Sequence, residues 1–196
     1  MVRRLSALCA AALHARGLDL LPRVIAGSHE RPRFDVTETE RCPDFQGKED
    51  SIGAVLEAGP DIYNHNTETV PRLYKRCRPG GRYERVMKIF ERAKQMAPQI
   101  PTKTGIILGM GETNEEVVAV MRDLRAVDVD ILTLGQYLRP SDNHAVMTRY
   151  YHPDEFRELK RVAMGLGFVH VEAGPLVRSS YHAHEQADAV RLAGHA

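Results

Sequence analysis

The chain has 196 residues, enough to bury a hydrophobic core within one domain. Its 27 basic and 26 acidic residues leave a formal net charge of +1, which argues against a nucleic-acid-binding surface or a polybasic membrane patch. No apolar run approaches the roughly 18 to 20 residues that span a bilayer.

Residues 1–42 differ in composition from the rest. The opening MVRRLSALCAAALHAR is rich in Ala, Leu and Arg and has no acid before Asp19, which is typical of a mitochondrial transit peptide. A short signal peptide, with Arg3 and Arg4 ahead of the apolar stretch, is a second interpretation. The third is a poorly ordered N-terminus that is unrelated to the fold.

A regular pattern of helices and strands begins at Pro43. The sequence predicts a helix over about 50–58 and a strand over 61–63 that ends in the polar run from Asn64 to Asn66. Polar residues at the carboxyl end of a strand are where α/β sheets collect ligand-binding groups. The alternative is that they only cap the following turn.

Glu68 and Arg72 follow closely enough to share the same rim. An arginine there could hold a carboxylate by a two-pronged, charge-assisted contact. A solvated arginine with no ligand is the alternative interpretation.

A predicted helix over 83–97 precedes the stretch TKTGIILGMGET, residues 102–113, which has the pattern of a buried strand, a glycine turn and a helix start. Gly109 and Gly111 let the backbone turn sharply and approach a ligand. Thr113 and Glu116 have the spacing of a capping box. We expect uncapped amides at this turn to attract an anion, and the carboxylate of Glu112 to accept from amines or hydroxyls. Glycines that serve only the turn are the alternative.

The second half of the chain continues the alternation. Helices are predicted over 115–127 and from Pro153 to a stop at Gly167, with strands over 131–134 and 169–173. Residues 187–196 have the pattern of a frayed tail. The positions predicted to face inward are Val86, Ile89, Phe90, Ala93 and Met96, then Val117, Val118, Met121, Leu124 and Val127, then Phe156, Leu159, Val162, Ala163 and Leu166.

This order of elements predicts an α/β fold with parallel strands, most simply a partial (β/α) TIM-like barrel. Four strands cannot close a barrel of the usual size, and an open sheet has edges that proteins normally cover. We therefore expect part of a larger domain, the N-terminal strands, to be missing from residues 43–186.

Six stretches resemble one family. They are PDFQG (43–47), NHNTETVPRLY (64–74), RAKQMAPQIPTKTGIILGMGET (92–113), DILTLGQYL (130–138), YYHPDEF (150–156) and GPLVRSSYHAHEQ (174–186). Together they resemble the C-terminal half of lipoyl synthase, an enzyme of the radical S-adenosylmethionine (SAM) superfamily. The resemblance covers residues 43–186, about three quarters of the chain.

The resemblance implies an enzyme, a sulfurtransferase that inserts two sulfur atoms into an octanoyl chain on a lysine of a lipoyl-domain protein. It implies SAM and two 4Fe–4S clusters as cofactors, one that reduces SAM to a 5'-deoxyadenosyl radical and one that is consumed as the sulfur source. The expected partner is an octanoylated protein such as a 2-oxoacid dehydrogenase E2 subunit or the glycine cleavage H protein, with no nucleic acid and no membrane.

The resemblance also implies site residues but no catalytic side chain. Those expected to bind SAM are Asn66, Glu68, Arg72, Gly105, Ile107, Gly109, Glu112, Gln136, Tyr137 and Leu138. Ser180, in the run RSSY from Arg178 to Tyr181, matches an unusual serine ligand of the auxiliary cluster. Iron–sulfur clusters normally take thiolates, and a more labile alkoxide would leave one iron open when the cluster is taken apart.

The cysteines depart from the family pattern. Cys9, Cys42 and Cys77 fit neither CxxxCxxC nor any other cluster spacing, and we expect each to be unligated, in a reducing compartment.

Our first hypothesis is a lipoyl synthase chain that is truncated, mis-started or frame-shifted and inactive alone; cysteine-encoding DNA upstream would support it. The second is a non-catalytic protein that binds a lipoyl domain or pairs with a cysteine-bearing half, and the third is an unrelated (β/α) nucleotide-binding enzyme. The expected location is the cytoplasm, with the mitochondrial matrix as the alternative.

Overall fold

The computed structural model describes residues 49–179, 186, 189 and 190, without the side chains of 49 and 50. Five helices and four strands alternate over this part of the chain. They are α1 (Glu49–Glu57), β1 (Tyr63–Asn64), α2 (Tyr74–Cys77, after a 3-10 turn at Pro71–Leu73), α3 (Tyr83–Met96), β2 (Thr102–Leu108), α4 (Asn114–Ala126), β3 (Ile131–Gln136), α5 (Pro153–Gly165) and β4 (His170–Gly174).

The four strands form one parallel sheet in the order β1-β2-β3-β4. β1, β2 and β3 are each followed by a helical connection to the next strand, which is the arrangement of a partial TIM-like barrel, and the predicted α/β fold class is confirmed. No further strand pairs with the outer edge of β1 or β4 within the described part of the chain.

The two faces of the sheet differ in chemistry because side chains alternate along a strand. One face carries Ile106, Leu108, Leu132, Leu134 and Val171, which pack in the main core with α3, α4 and α5. The opposite face, which we call the inner face, carries the polar residues Asn64, Lys103, Thr133, His170 and Glu172 with glycines between them. A polar inner face points to a ligand-binding or water-lined interior.

Most predicted elements are present with shifted bounds. β2 covers Thr102–Leu108, the start of the stretch in which the sequence predicts a buried strand, and Thr102 pairs with Tyr63 of β1. β1 is only two residues long and begins at Tyr63, not at Asp61. The capping box at Thr113 and Glu116 is confirmed.

Two inward-facing assignments were inaccurate. Met96 was predicted to be buried but is 49% exposed, because it ends α3 and its side chain lies at the surface against Gly53 of α1. Val120, which was not assigned to the core, is 1% exposed. Val118, Val127, Val162 and Leu166 are partly buried against the core.

Several predicted features lie outside the described residues. They are Cys9, Cys42, Ser180, the N-terminal segment over 1–42 and most of the tail over 187–196. Within the described part, no helix has the length and apolar content to cross a membrane.

Candidate functional site

The segment that follows β1 returns to pair with β2. The Glu68 amide donates to the Gly105 carbonyl at 2.8 Å, and the Ile107 amide donates to the Glu68 carbonyl at 2.8 Å. Glu68 has a φ of 71°, a left-handed conformation that a non-glycine residue adopts at a cost. This pairing places Asn66 and Glu68 beside Gly105, as the sequence predicted for one rim.

Polar side chains crowd around Gly105 on the inner face. A Cβ atom on this glycine would lie 2.8 Å from Thr133 Oγ1 and 3.2 Å from Asn66 Oδ1. Asn66 Oδ1 is buried and has no hydrogen-bond partner in the described part of the chain, and the same holds for both side-chain amide atoms of Asn64. Buried polar atoms are almost always paired, so unpaired ones around a glycine fit a small polar ligand that brings hydroxyl or amine groups.

The amides of the glycine turn after β2 bind a side-chain carboxylate of this chain. The Glu112 carboxylate is 6% exposed and accepts from the Gly109 amide at 2.5 Å and the Met110 amide at 3.0 Å. The expectation of uncapped amides is therefore wrong for Gly109 and Met110. Glu112 uses both oxygens to shape the turn.

Arg72 makes the two-pronged carboxylate contact that the sequence predicted, but with a residue of this chain. Its guanidinium donates to Glu116 Oε1 at 2.7 Å and Oε2 at 2.9 Å, and to the Gly111 carbonyl at 2.8 Å. The hydrogen bond from Arg72 lowers the pKa of Glu116 to about 2, and the Thr113 amide adds to the shift. Arg72 thus ties the segment after β1 to the glycine turn and to the start of α4.

Gln136, at the end of β3, holds the loop that follows. Its Oε1 accepts from the Tyr151 amide at 2.9 Å, and its Nε2 donates to the Arg149 carbonyl at 3.1 Å. The Tyr137 hydroxyl donates to the Ala145 carbonyl at 2.9 Å, and Leu138 is 48% exposed. These residues lie at the predicted rim, with the polar groups of Gln136 and Tyr137 engaged in the loop.

This loop, residues 139–152, also contacts the glycine turn. The Thr148 amide donates to the Gly109 carbonyl at 2.7 Å. A Cβ atom on Gly109 would lie 2.6 Å from the Arg149 carbonyl oxygen. Gly109 is therefore required for the close approach of the loop, as well as for its φ of 107°.

The residues predicted to bind a ligand fall into two groups at this rim. Asn66 and Gly105 lie together on the inner face, with Ile107 one inner-face position further along β2, whereas Arg72 and Glu112 stabilise the turn. Sequence reasoning included Asn64 in the polar run after β1 but missed Thr133 and Lys103. Each is a polar residue at an inner-face position of a strand that is otherwise apolar or glycine-rich, and this pattern could have identified them.

Iron–sulfur ligation finds no support in the described residues. Cys77, at the end of α2, is partly buried, and burial raises the pKa of its thiol. No group of three or more metal-ligating side chains occurs in this part of the chain. A 4Fe–4S cluster, which needs several thiolates, does not fit the residues that the structure describes.

Comparison with known proteins gives one family match and several close relatives. Residues 19–124 match the radical SAM superfamily. A lipoyl synthase of Koribacter versatilis is 60% identical over 149 residues, which is 76% of this chain and 49% of the relative. Lipoyl synthases of Rubrobacter xylanophilus and of a Geobacillus species are each 54% identical, over 76% and 83% of this chain and 46% and 55% of the relatives. The chain spans about half the length of the curated relatives it matches.

Proposed function

This chain belongs to the radical SAM superfamily, and on that premise we propose that it acts in a lipoyl synthase-like reaction, the insertion of two sulfur atoms into a protein-bound octanoyl chain. Relatives that are 54–60% identical and named lipoyl synthase support this function. The structural observation that carries the proposal is the buried, unpaired Asn66 oxygen beside Gly105 on the inner face.

SAM is the ligand that we propose for the inner face beside Gly105. The unpaired Asn66 oxygen can accept from a ribose hydroxyl or from the amino group of the methionine part, and the absent Cβ at Gly105 lets the Asn66 and Thr133 side chains lie close to β2. Ile107, one inner-face position further along β2, offers an apolar contact to the flat adenine. When bound, SAM supplies the radical chemistry that removes hydrogens from unactivated carbon in this superfamily.

The other predicted SAM-binding residues shape the rim. Glu112 and Arg72 hold the turn that contains Gly109, and Glu68 holds the strand-like segment beside β2. Gln136 and Tyr137 hold the loop 139–152, and the half-exposed Leu138 follows them at the start of that loop. We propose that they contribute to SAM affinity mainly by fixing this geometry.

Neither iron–sulfur cluster has a full set of ligands in this sequence. Its three cysteines have no cluster spacing, and Ser180, the expected serine ligand, lies outside the described residues. We propose that the cluster thiolates are supplied by protein sequence outside these 196 residues.

A second candidate function is a non-catalytic one, in which the chain pairs with a cysteine-bearing half or binds a lipoyl domain. The observation that favours it is the open outer edge of β1 and of β4 in the described part, since unpaired strand edges are templates for pairing with another chain. Co-purification with such a partner distinguishes the two functions.

The substrate that we propose is an octanoylated lipoyl-domain protein, which follows from the resemblance of the sequence to lipoyl synthase. The relatives described above are bacterial, which supports a location in the cytoplasm.

The proposal is tested by titrating the purified chain with SAM in a calorimeter. We expect binding, and a loss of about tenfold in affinity for Asn66→Ala, which removes one hydrogen bond to the ligand. Gln95→Ala, on the exposed surface of α3, is the matched control and should bind as the wild type does. Absence of SAM binding, or equal affinity for ATP, would overturn the proposal.

A further inference from the structure

Lys103 is a charged side chain in an unusual place. It lies on the inner face in the middle of the sheet and is 0% exposed. Its ammonium donates to the Ser179 carbonyl at 2.5 Å and to Gln186 Oε1. Burial lowers the pKa of Lys103 to about 8, while the nearby Glu172 carboxylate acts in the opposite direction. A buried ammonium costs stability that an apolar side chain of the same length would not cost.

The segment that Lys103 holds comes from the far end of the described chain. After β4 the backbone turns, and the Val177 amide donates to the Gly174 carbonyl at 3.1 Å. Val177 is 7% exposed, and its carbonyl approaches β3 so closely that a Cβ atom on Gly135 would lie 2.4 Å from the oxygen. Residues 175–179 therefore pack directly on the inner face.

This contact adjoins the proposed SAM site. Gly135 pairs in register with Ile107, the residue expected to contact the adenine. Val177, Gly135 and Ile107 thus form one continuous wall, and the position of Val177 depends on what fixes Ser179 two residues later.

We infer that Lys103 is a positioning residue for the proposed SAM site, because its ammonium holds Ser179 and thereby keeps Val177 against Gly135. The identity of the ligand in this inference rests on the proposed function, whereas the anchoring of residues 175–179 by Lys103 does not. Removal of the ammonium takes away the donor of the part-buried Ser179 carbonyl, so the segment loses this attachment to β2.

Two substitutions of Lys103 test the anchor. Lys103→Met keeps the length of the side chain and removes its donors, whereas Lys103→Arg keeps the charge and the donors. Lys94→Met is the matched control, since Lys94 forms a partly buried ion pair with Asp130 at 2.7 Å on the helix side of the sheet. Hydrogen exchange of individual amides reports the position of the segment, and SAM affinity reports its effect on the site.

In Lys103→Met we expect the Val177 and Ser179 amides to exchange about tenfold faster or more, while the amides of β2 and β3 stay protected. SAM affinity falls about tenfold, and Lys103→Arg restores part of both effects. Lys94→Met lowers thermal stability but leaves exchange at Val177 and SAM affinity unchanged.

Gly135→Ala provides a second route if Lys103→Met does not fold. Its methyl group displaces the same segment without touching Lys103, so SAM affinity should fall and exchange at Val177 should rise. Unchanged exchange at 175–179 in Lys103→Met, or equal acceleration in every strand, overturns the inference. If the wild type binds no SAM, the proposed function fails, and the exchange pattern alone decides whether Lys103 anchors the segment.

Discussion

Arg72 and Glu116 are 44 positions apart in the sequence and form a two-pronged ion pair, with Nε to Oε1 at 2.7 Å and Nη2 to Oε2 at 2.9 Å. Glu116 at the same time accepts from the Thr113 amide at 2.9 Å, as the second half of the capping box of α4. One carboxylate thus joins the segment after β1 to the turn after β2.

Replacement of Glu116 by Gln removes the ion pair and weakens the cap, and we expect a loss of about 1 kcal/mol in the free energy of unfolding at neutral pH. The folded-state pKa of Glu116, about 2, lies below its ordinary value of 4.5, so its contribution is present above pH 4.5 and is lost as the pH falls toward 2. Urea unfolding of both proteins between pH 7 and 2 should show the difference shrinking over that lower range. A difference that stays constant down to pH 2 would contradict the assignment.

Part of this arrangement was predictable from the sequence and part was not. The capping box depends on two residues three positions apart, so Thr113 and Glu116 revealed it. A two-pronged carboxylate contact of Arg72 was one of two interpretations, but it was expected with a ligand, and the actual partner Glu116 depends on the distant pairing of Glu68 with β2. The buried role of Lys103 was missed because a lysine in a strand gives no local sign that another segment will cover it.

Gly109→Ala tests the glycine turn. Its φ of 107° is unfavourable for alanine, and the added methyl group would lie 2.6 Å from the Arg149 carbonyl oxygen. We expect a loss of more than about 2 kcal/mol in the free energy of unfolding and weaker SAM binding, because the loop 139–152 must move away.

Gly59→Ala is the control for that variant. Gly59 also has a positive φ, 68°, but an added Cβ would have no atom within 4 Å. It should lose only the backbone cost, about 1 kcal/mol, with no change in SAM affinity. Equal losses of stability and of affinity in the two variants would show that the close approach of the loop plays no part.

Lys103 predicts an unusual dependence of stability on alkaline pH. Its folded-state pKa, about 8, lies below its ordinary value of 10.5, so between these values the unfolded chain binds more protons than the folded chain. The contribution of this group to the free energy of unfolding therefore rises with pH, by up to about 3 kcal/mol between pH 8 and 10.5. Denaturant unfolding of the wild type and of Lys103→Met over this range isolates the effect of Lys103. Tyrosines and other lysines titrate in both proteins, so their effects cancel in the difference between the two free energies of unfolding. A wild-type curve that falls in parallel with that of the variant would contradict the shifted pKa.

The cysteine pattern predicts the outcome of iron–sulfur reconstitution. Three cysteines without cluster spacing cannot supply the thiolates of a 4Fe–4S cluster, and burial of Cys77 disfavours its thiolate form. After anaerobic incubation with iron and sulfide and removal of excess reagent, the purified chain should be colourless, and Cys77→Ser should behave identically. A full-length lipoyl synthase treated in the same way is the positive control and should turn brown. A brown preparation of this chain with about four irons per molecule would contradict the proposal that the thiolates come from outside these 196 residues.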